Sequence, residues 1–112
     1  MLDIVKSAAF DEWFVRLRDK AAKARIQMRI DRASDGNLGD WKPVGDGISE
    51  MRVDVGPGYR IYFLRDGLRL IVLLCAGDKS SQATDITKAV ALAKEWRKSV
   101  AQPTKTRKAN SP

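Results

Sequence analysis

Residues 50–79 read EMRVDVGPGYRIYFLRDGLRLIVLLCAGDK, and this stretch decides the fold. A Gly-Pro-Gly turn at 56–58 and an Asp-Gly pair at 66–67 divide it into three apolar segments of strand length. Because glycine adopts positive φ freely and proline presets φ, the first turn is encoded locally and brings Arg52 near Arg60. We therefore expect antiparallel strands that carry cations at or near their ends.

Helical spacing precedes the predicted sheet. Apolar residues follow the i, i+3, i+4, i+7 pattern over residues 10–17, and Ser7 is placed to cap that helix. A second helix is predicted over residues 20–33 and forms an antiparallel hairpin with the first. Residues 2–5 are expected to form a short strand, and residues 38–46 a glycine-containing connection.

A last helix is predicted over residues 84–97, where apolar residues return to helical spacing. This order of elements predicts an α+β fold, with two N-terminal helices and one C-terminal helix packed on a small twisted antiparallel sheet. We expect the helices to cover one face of that sheet. Residues 1–100 are predicted to be a single domain, and residues 101–112 a basic disordered tail.

Composition excludes several classes of protein. With one cysteine and no histidine, disulfide and zinc frameworks are excluded, and Cys75 is predicted to be a small core residue. No apolar run approaches the roughly 20 residues of a membrane helix, and the first ten residues show no secretory pattern. We expect a cytoplasmic protein without membrane contact, whose net charge of +7 suits a polyanionic partner.

Five short motifs are spread along the chain. They are FDEW at 10–13, GNLGD at 36–40, GDGISEMR at 45–52, GYRIYF at 58–63 and LLCAGDK at 73–79. Together they resemble the RelE/ParE toxin superfamily, in particular its HigB-like branch of phage-derived addiction module killers. The resemblance covers about residues 10–93 and rests on the order and spacing of several motifs.

The resemblance implies a toxin of a type II toxin-antitoxin system, held inactive by a cognate antitoxin of the helix-turn-helix type. Many such toxins are metal-independent endoribonucleases, also called mRNA interferases, which cut messenger RNA on the ribosome without a cofactor. Operator DNA is then contacted only through the antitoxin. The ParE side of the superfamily instead inhibits DNA gyrase, and this is the alternative. A third reading is an inactive relative that acts with the antitoxin as a DNA-binding corepressor.

The resemblance also implies the catalytic residues. Metal-independent RNA cleavage uses the adjacent 2′-hydroxyl as nucleophile and needs cations that neutralise charge developing on the phosphate. Arg60 matches the family arginine assigned to this role, and a guanidinium makes bidentate contacts with phosphate. Arg52 and Lys79 are the other predicted catalytic cations, expected on the same concave side.

Further side chains are predicted to contact RNA. Tyr62 shares a strand face with Arg60, so it either stacks on a base or packs within the sheet. The second helix carries a basic row that either contacts ribosomal RNA or is simply solvated. That row contains Lys23, Arg25, Arg29 and Arg32, of which Lys23 and Arg29 are the predicted RNA contacts.

The residues that move protons stay open at this point. Asp85 is either an acid-base group or a cap of the last helix. Glu50 is either a base or an ion-pair partner of Arg52 or Arg60. If neither acts on protons, catalysis rests on positioning and charge, which fits dependence on the ribosome.

Overall fold

The computed structural model describes residues 1–101, which form a five-stranded sheet and three helices. The elements in chain order are β1 Asp3–Lys6, α1 Ala8–Arg16, α2 Lys20–Ser34, β2 Trp41–Gly45, β3 Ile48–Val53, β4 Tyr59–Asp66, β5 Leu70–Asp78, a 3₁₀ turn Lys79–Ser81 and α3 Gln82–Ala101. The α+β class is confirmed. The predicted tail lies outside the described residues, except for Ala101, which ends α3.

The sheet is mixed rather than purely antiparallel. Its strand order is β1-β5-β4-β3-β2, and β1 pairs with β5 in parallel while the other pairs are antiparallel. The expectation of an antiparallel sheet is therefore wrong at one edge. The cause is non-local, because residues 7–69 separate β1 from β5 and act as the long crossover that parallel strands require.

The connection expected over residues 38–46 contains the edge strand β2. Trp41 pairs with Met51 of β3, and the register shifts between Pro43 and Gly45. Proline and glycine in the segment favoured a loop, but an edge strand tolerates both because one of its sides needs no partner. The helices lie close to their predicted positions, and the Ser7 hydroxyl caps α1 by accepting from Phe10 N at 3.0 Å.

Helices cover both faces of the sheet, so the expectation of one covered face is wrong. Ile61 and Phe63 of β4 lie in the core that includes α1 and α2, whereas Tyr62 and Leu64 lie in the core that includes α3. The central strands β4 and β5 are apolar at successive positions, and successive side chains point to opposite faces. Each face therefore needs its own cover.

A bulge and a glycine shape the end of β5 beside α3. Tyr62 pairs with Cys75 and Phe63 with Leu73, so β5 carries one extra residue opposite β4. Gly77 follows near the end of β5, and a Cβ atom added to it would lie 2.0 Å from Asp85 Oδ2. Only glycine fits there, and the first turn of α3 therefore lies directly against β5. Within residues 1–101, no helix combines the length and apolarity needed to cross a bilayer.

Candidate nucleic-acid interface

A cavity of about 220 Å³ opens at the end of the sheet where β3 and β5 finish and β4 begins. Arg52 pairs directly with Arg60 across β3 and β4, as the turn at 56–58 predicts. The lining residues are Asp40, Arg52, Val53, Asp54, Gly56, Pro57, Gly58, Tyr59, Arg60 and Lys79. The structure thus brings the three predicted catalytic cations to one cavity, which we call the sheet-end cavity.

Glu50 lies beneath this cavity as a fully buried carboxylate. Its Oε2 accepts from Arg60 Nη1 at 2.9 Å and from Arg52 Nε at 3.3 Å, while its Oε1 accepts from Gln82 Nε2 at 2.8 Å. Burial alone would raise the pKa of Glu50, but the three hydrogen bonds outweigh it and the pKa is lowered. Glu50 is therefore the ion-pair partner of both arginines, and the alternative of a base is not supported.

Arg60 is less exposed than expected. A place on the concave side implies a side chain that faces solvent, yet only 14% of the Arg60 side chain is exposed, compared with 39% for Arg52. The reason is its place on the central strand β4, on the face that α3 covers. Two guanidinium groups share the single carboxylate of Glu50, so the cluster keeps a net positive charge. No carboxylate of residues 1–101 forms an ion pair with Lys79.

The two open proton-transfer candidates have structural contacts. Asp85 accepts a hydrogen bond from Ser81 Oγ at 2.5 Å in the first turn of α3 and does not line the sheet-end cavity. Asp85 therefore has a structural contact, but it is not the cap of the helix, because α3 begins three residues earlier at Gln82. Gln82, to which the sequence analysis assigns no role, begins α3 and donates to Glu50. No local pattern could have revealed it, because 32 positions separate the two residues.

Tyr62 is not an RNA contact. Its side chain is 0% exposed, so the predicted stacking on a base is wrong, and its alternative of packing within the sheet is correct. The hydroxyl lies near Glu50 but forms no hydrogen bond with a described residue. Burial, reinforced by the charge of Glu50, raises the pKa of Tyr62. Burial likewise raises the pKa of Cys75 to about 12, which fits its predicted place in the core.

We expect Tyr62→Phe to change the free energy of unfolding by less than about 1 kcal/mol, because it removes a buried hydroxyl that has no partner. Urea denaturation of the two proteins measures this difference. A loss above about 2 kcal/mol would show that the hydroxyl is bound after all.

The predicted RNA contacts on α2 also hold the fold together. Lys23 Nζ donates to Val15 O at 3.3 Å and lies 5.3 Å from the centre of the Phe14 ring, which ties α2 to α1. Arg29 donates to the carbonyl oxygens of Arg52, Leu38 and Asp40. Burial lowers the pKa of Arg29, partly offset by Asp40. An RNA role for Lys23 and Arg29 stays a prediction beside these observed structural roles.

A second cavity, of about 580 Å³, lies along α2, and we call it the α2 groove. Its lining residues are Arg25, Met28, Arg29, Arg32, Gly39, Asp40, Arg52, Val53 and Asp54. Four of these residues also line the sheet-end cavity: Asp40, Arg52, Val53 and Asp54. The two cavities are therefore neighbours with a common wall, and most of the charged side chains on them are cationic.

The fold is consistent with that of toxin-like proteins of the RelE type. The family described as "Phage derived protein Gp49-like (DUF891)" matches residues 12–98. A protein of Haemophilus influenzae named "Uncharacterized protein" is 47% identical over 94 residues, which cover 84% of this chain and 95% of that protein. The chain belongs to the Gp49-like family of phage-derived proteins.

Proposed function

We propose that this protein is the toxin of a type II toxin-antitoxin pair, of the HigB-like kind, and that it cuts messenger RNA on the ribosome. One observation carries the proposal: Arg52, Arg60 and Lys79 line one open cavity at the end of the sheet. Clustered guanidinium and ammonium groups suit a phosphodiester, and guanidinium does so with directed pairs of hydrogen bonds. Membership of a toxin-like family supports the same assignment.

The mechanism places the scissile phosphate in the sheet-end cavity. The adjacent 2′-oxygen forms a bond to phosphorus while the bond to the 5′-oxygen breaks, leaving a 2′,3′-cyclic phosphate and a 5′-hydroxyl. Negative charge grows on the non-bridging oxygens. Glu50 occupies only Nη1 of Arg60 and Nε of Arg52. The other N–H groups of both arginines are available to the phosphate, and their fixed orientation lowers the barrier.

Proton transfer is a smaller part of this mechanism. The nucleophile must lose a proton and the leaving 5′-oxygen must gain one. Glu50 is buried with both oxygens occupied, and among residues 1–101 the carboxylates that line the cavity are Asp40 and Asp54. We propose that positioning and charge supply most of the rate and that the ribosome orients the message. This accounts for an enzyme that acts only on translated RNA.

The proposed partners follow from the same assignment. A cognate antitoxin of the helix-turn-helix type shields the cationic cavities or keeps them away from the ribosome. Operator DNA is contacted through that antitoxin, and the toxin acts in the cytoplasm. The next gene on the chromosome provides a direct check, because a small helix-turn-helix protein is expected there.

A short pulse of expression followed by primer extension on cellular messages tests the function. We expect cuts that keep a fixed phase with the codons and that vanish when initiation is blocked. The matched comparison is Arg60→Lys, which should cut about 100- to 1,000-fold more slowly. Trapped gyrase-DNA cleavage complexes without RNA cuts would instead establish the gyrase alternative. If neither RNA cuts nor gyrase-DNA complexes form, and the toxin-antitoxin complex binds operator DNA, the protein is a corepressor.

A further inference from the structure

We propose that the α2 groove binds the phosphate backbone of single-stranded RNA beside the scissile bond, with Arg25 and Arg32 as its phosphate contacts. The proposal rests on the proposed function of the sheet-end cavity and adds a second contact region for the same substrate. It also shifts the RNA contacts on α2 away from Lys23 and Arg29, which the sequence analysis favours.

The groove face of α2 is separate from its core face. Four groove residues follow the spacing i, i+3, i+4, i+7 and so lie on one side of the helix: Arg25, Met28, Arg29 and Arg32. The other side is buried in the core through Ala22, Ile26, Ile30 and Ala33. Core packing therefore does not involve Arg25 and Arg32, which leave a cationic surface open to a ligand.

Arg25 and Arg32 are the cations of this surface that form no ion pair with a described residue. Both are exposed, and no carboxylate of residues 1–101 lies within ion-pairing distance of either. Seven residues of helix place their Cα atoms about 10 Å apart along the axis. That separation suits an extended chain with repeated charges better than one small anion. Met28, 44% exposed, lies between them and offers an apolar surface to a base.

Arg29 acts differently, as a buttress of the groove. Its guanidinium binds the carbonyl oxygen of Arg52 at the end of β3 and those of Leu38 and Asp40 in the preceding segment. These bonds hold α2 against the sheet. The wall that carries Arg25 and Arg32 is thus fixed relative to Arg52, and an RNA strand would meet a preformed surface.

Continuity between the cavities favours RNA as the occupant of the α2 groove. The α2 groove and the sheet-end cavity share Arg52, Val53 and Asp54 as well as Asp40. A strand whose phosphate lies between Arg60 and Lys79 passes Arg52 and enters the α2 groove. An acidic segment of an antitoxin is the competing occupant, but it has no such need to continue from the cavity that holds the scissile phosphate.

Salt dependence of RNA binding tests the proposal. The probe is a short single-stranded RNA with 2′-O-methyl groups, which cannot be cut, and fluorescence anisotropy gives Kd from 50 to 200 mM salt. For Arg25→Ala/Arg32→Ala we expect the slope of log K against log salt to fall by about 1.4, at about 0.7 per lost phosphate contact. Over this range the variant is then about sevenfold less sensitive to salt.

The matched control is Arg65→Ala/Arg69→Ala, which removes two exposed arginines at the opposite end of the sheet. Its slope should stay at the wild-type value. Equal losses in both variants, or no RNA binding by the wild type at 50 mM salt, would overturn the proposal. The proposal would also be overturned if Arg25→Ala/Arg32→Ala kept the wild-type slope but bound the antitoxin more weakly, because the groove would then be an antitoxin site. If RNA binding depends on the groove but no message is cut in cells, the nuclease proposal fails while the groove assignment stands.

Discussion

Arg60→Lys is expected to slow cleavage of messenger RNA by about 100- to 1,000-fold while the protein stays folded. Lysine keeps the positive charge that Glu50 requires, at a position where arginine now donates at 2.9 Å. It loses the planar fork, however, so one ammonium cannot bind the carboxylate and also make paired contacts with the phosphate. The loss should therefore appear in catalysis rather than in stability.

Cleavage in a reconstituted translation system, read by primer extension, measures this effect. Arg65→Lys is the matched control, because Arg65 is an exposed arginine near the opposite end of β4 and should leave the rate unchanged. Thermal unfolding of both variants confirms that they are folded. A wild-type rate in folded Arg60→Lys would remove the central group of the proposed mechanism. Arg60→Ala is a poorer test, since it deprives the buried Glu50 of a partner.

Glu50→Ala is expected to lower the free energy of unfolding by about 3 kcal/mol, at the lower end of the range for broken buried ion pairs. The change leaves Arg60 and Gln82 without their acceptor in a covered site. The lower end applies because Arg52 is 39% exposed and water can solvate it. Glu50→Gln should cost less, since it keeps the shape and one acceptor oxygen. Urea denaturation of the three proteins measures the difference, and equal stability of all three would contradict the ion-pair cluster.

Acid should weaken the protein through the same residue. The folded state lowers the pKa of Glu50 below its ordinary value of 4.5. The stability that Glu50 contributes is therefore complete above the unfolded pKa and is lost as pH falls through the folded pKa. We expect wild-type stability to fall below about pH 4.5 and Glu50→Gln to remove part of that fall. Denaturation curves at pH 7, 5, 4 and 3 compare the two, and parallel profiles would show that Glu50 does not titrate with folding.

Local sequence patterns were sufficient to predict the helices and the pairing of β3 with β4. The turn at 56–58 places its glycines at positive φ and sets Arg52 opposite Arg60, because turn residues control register in a hairpin. Helical spacing located α1, α2 and α3, and Ser7 marked the start of α1 through its side-chain oxygen. These features depend on neighbours in the chain, so the sequence contains their cause directly.

Tertiary structure decided what surrounds the arginines. The burial of Tyr62, the 14% exposure of Arg60 and the contact of Gln82 with Glu50 all depend on α3 packing over the face of β4 that carries them. Likewise, the pairing of β1 with β5 joins segments that are far apart in the chain. Amino-acid sequence by itself determined the elements and the pairing of the two arginines, because short-range backbone geometry controls both. Contacts between residues far apart in the chain decided which side chains are buried, which form hydrogen bonds and which are exposed. No local pattern specifies the partners in those contacts.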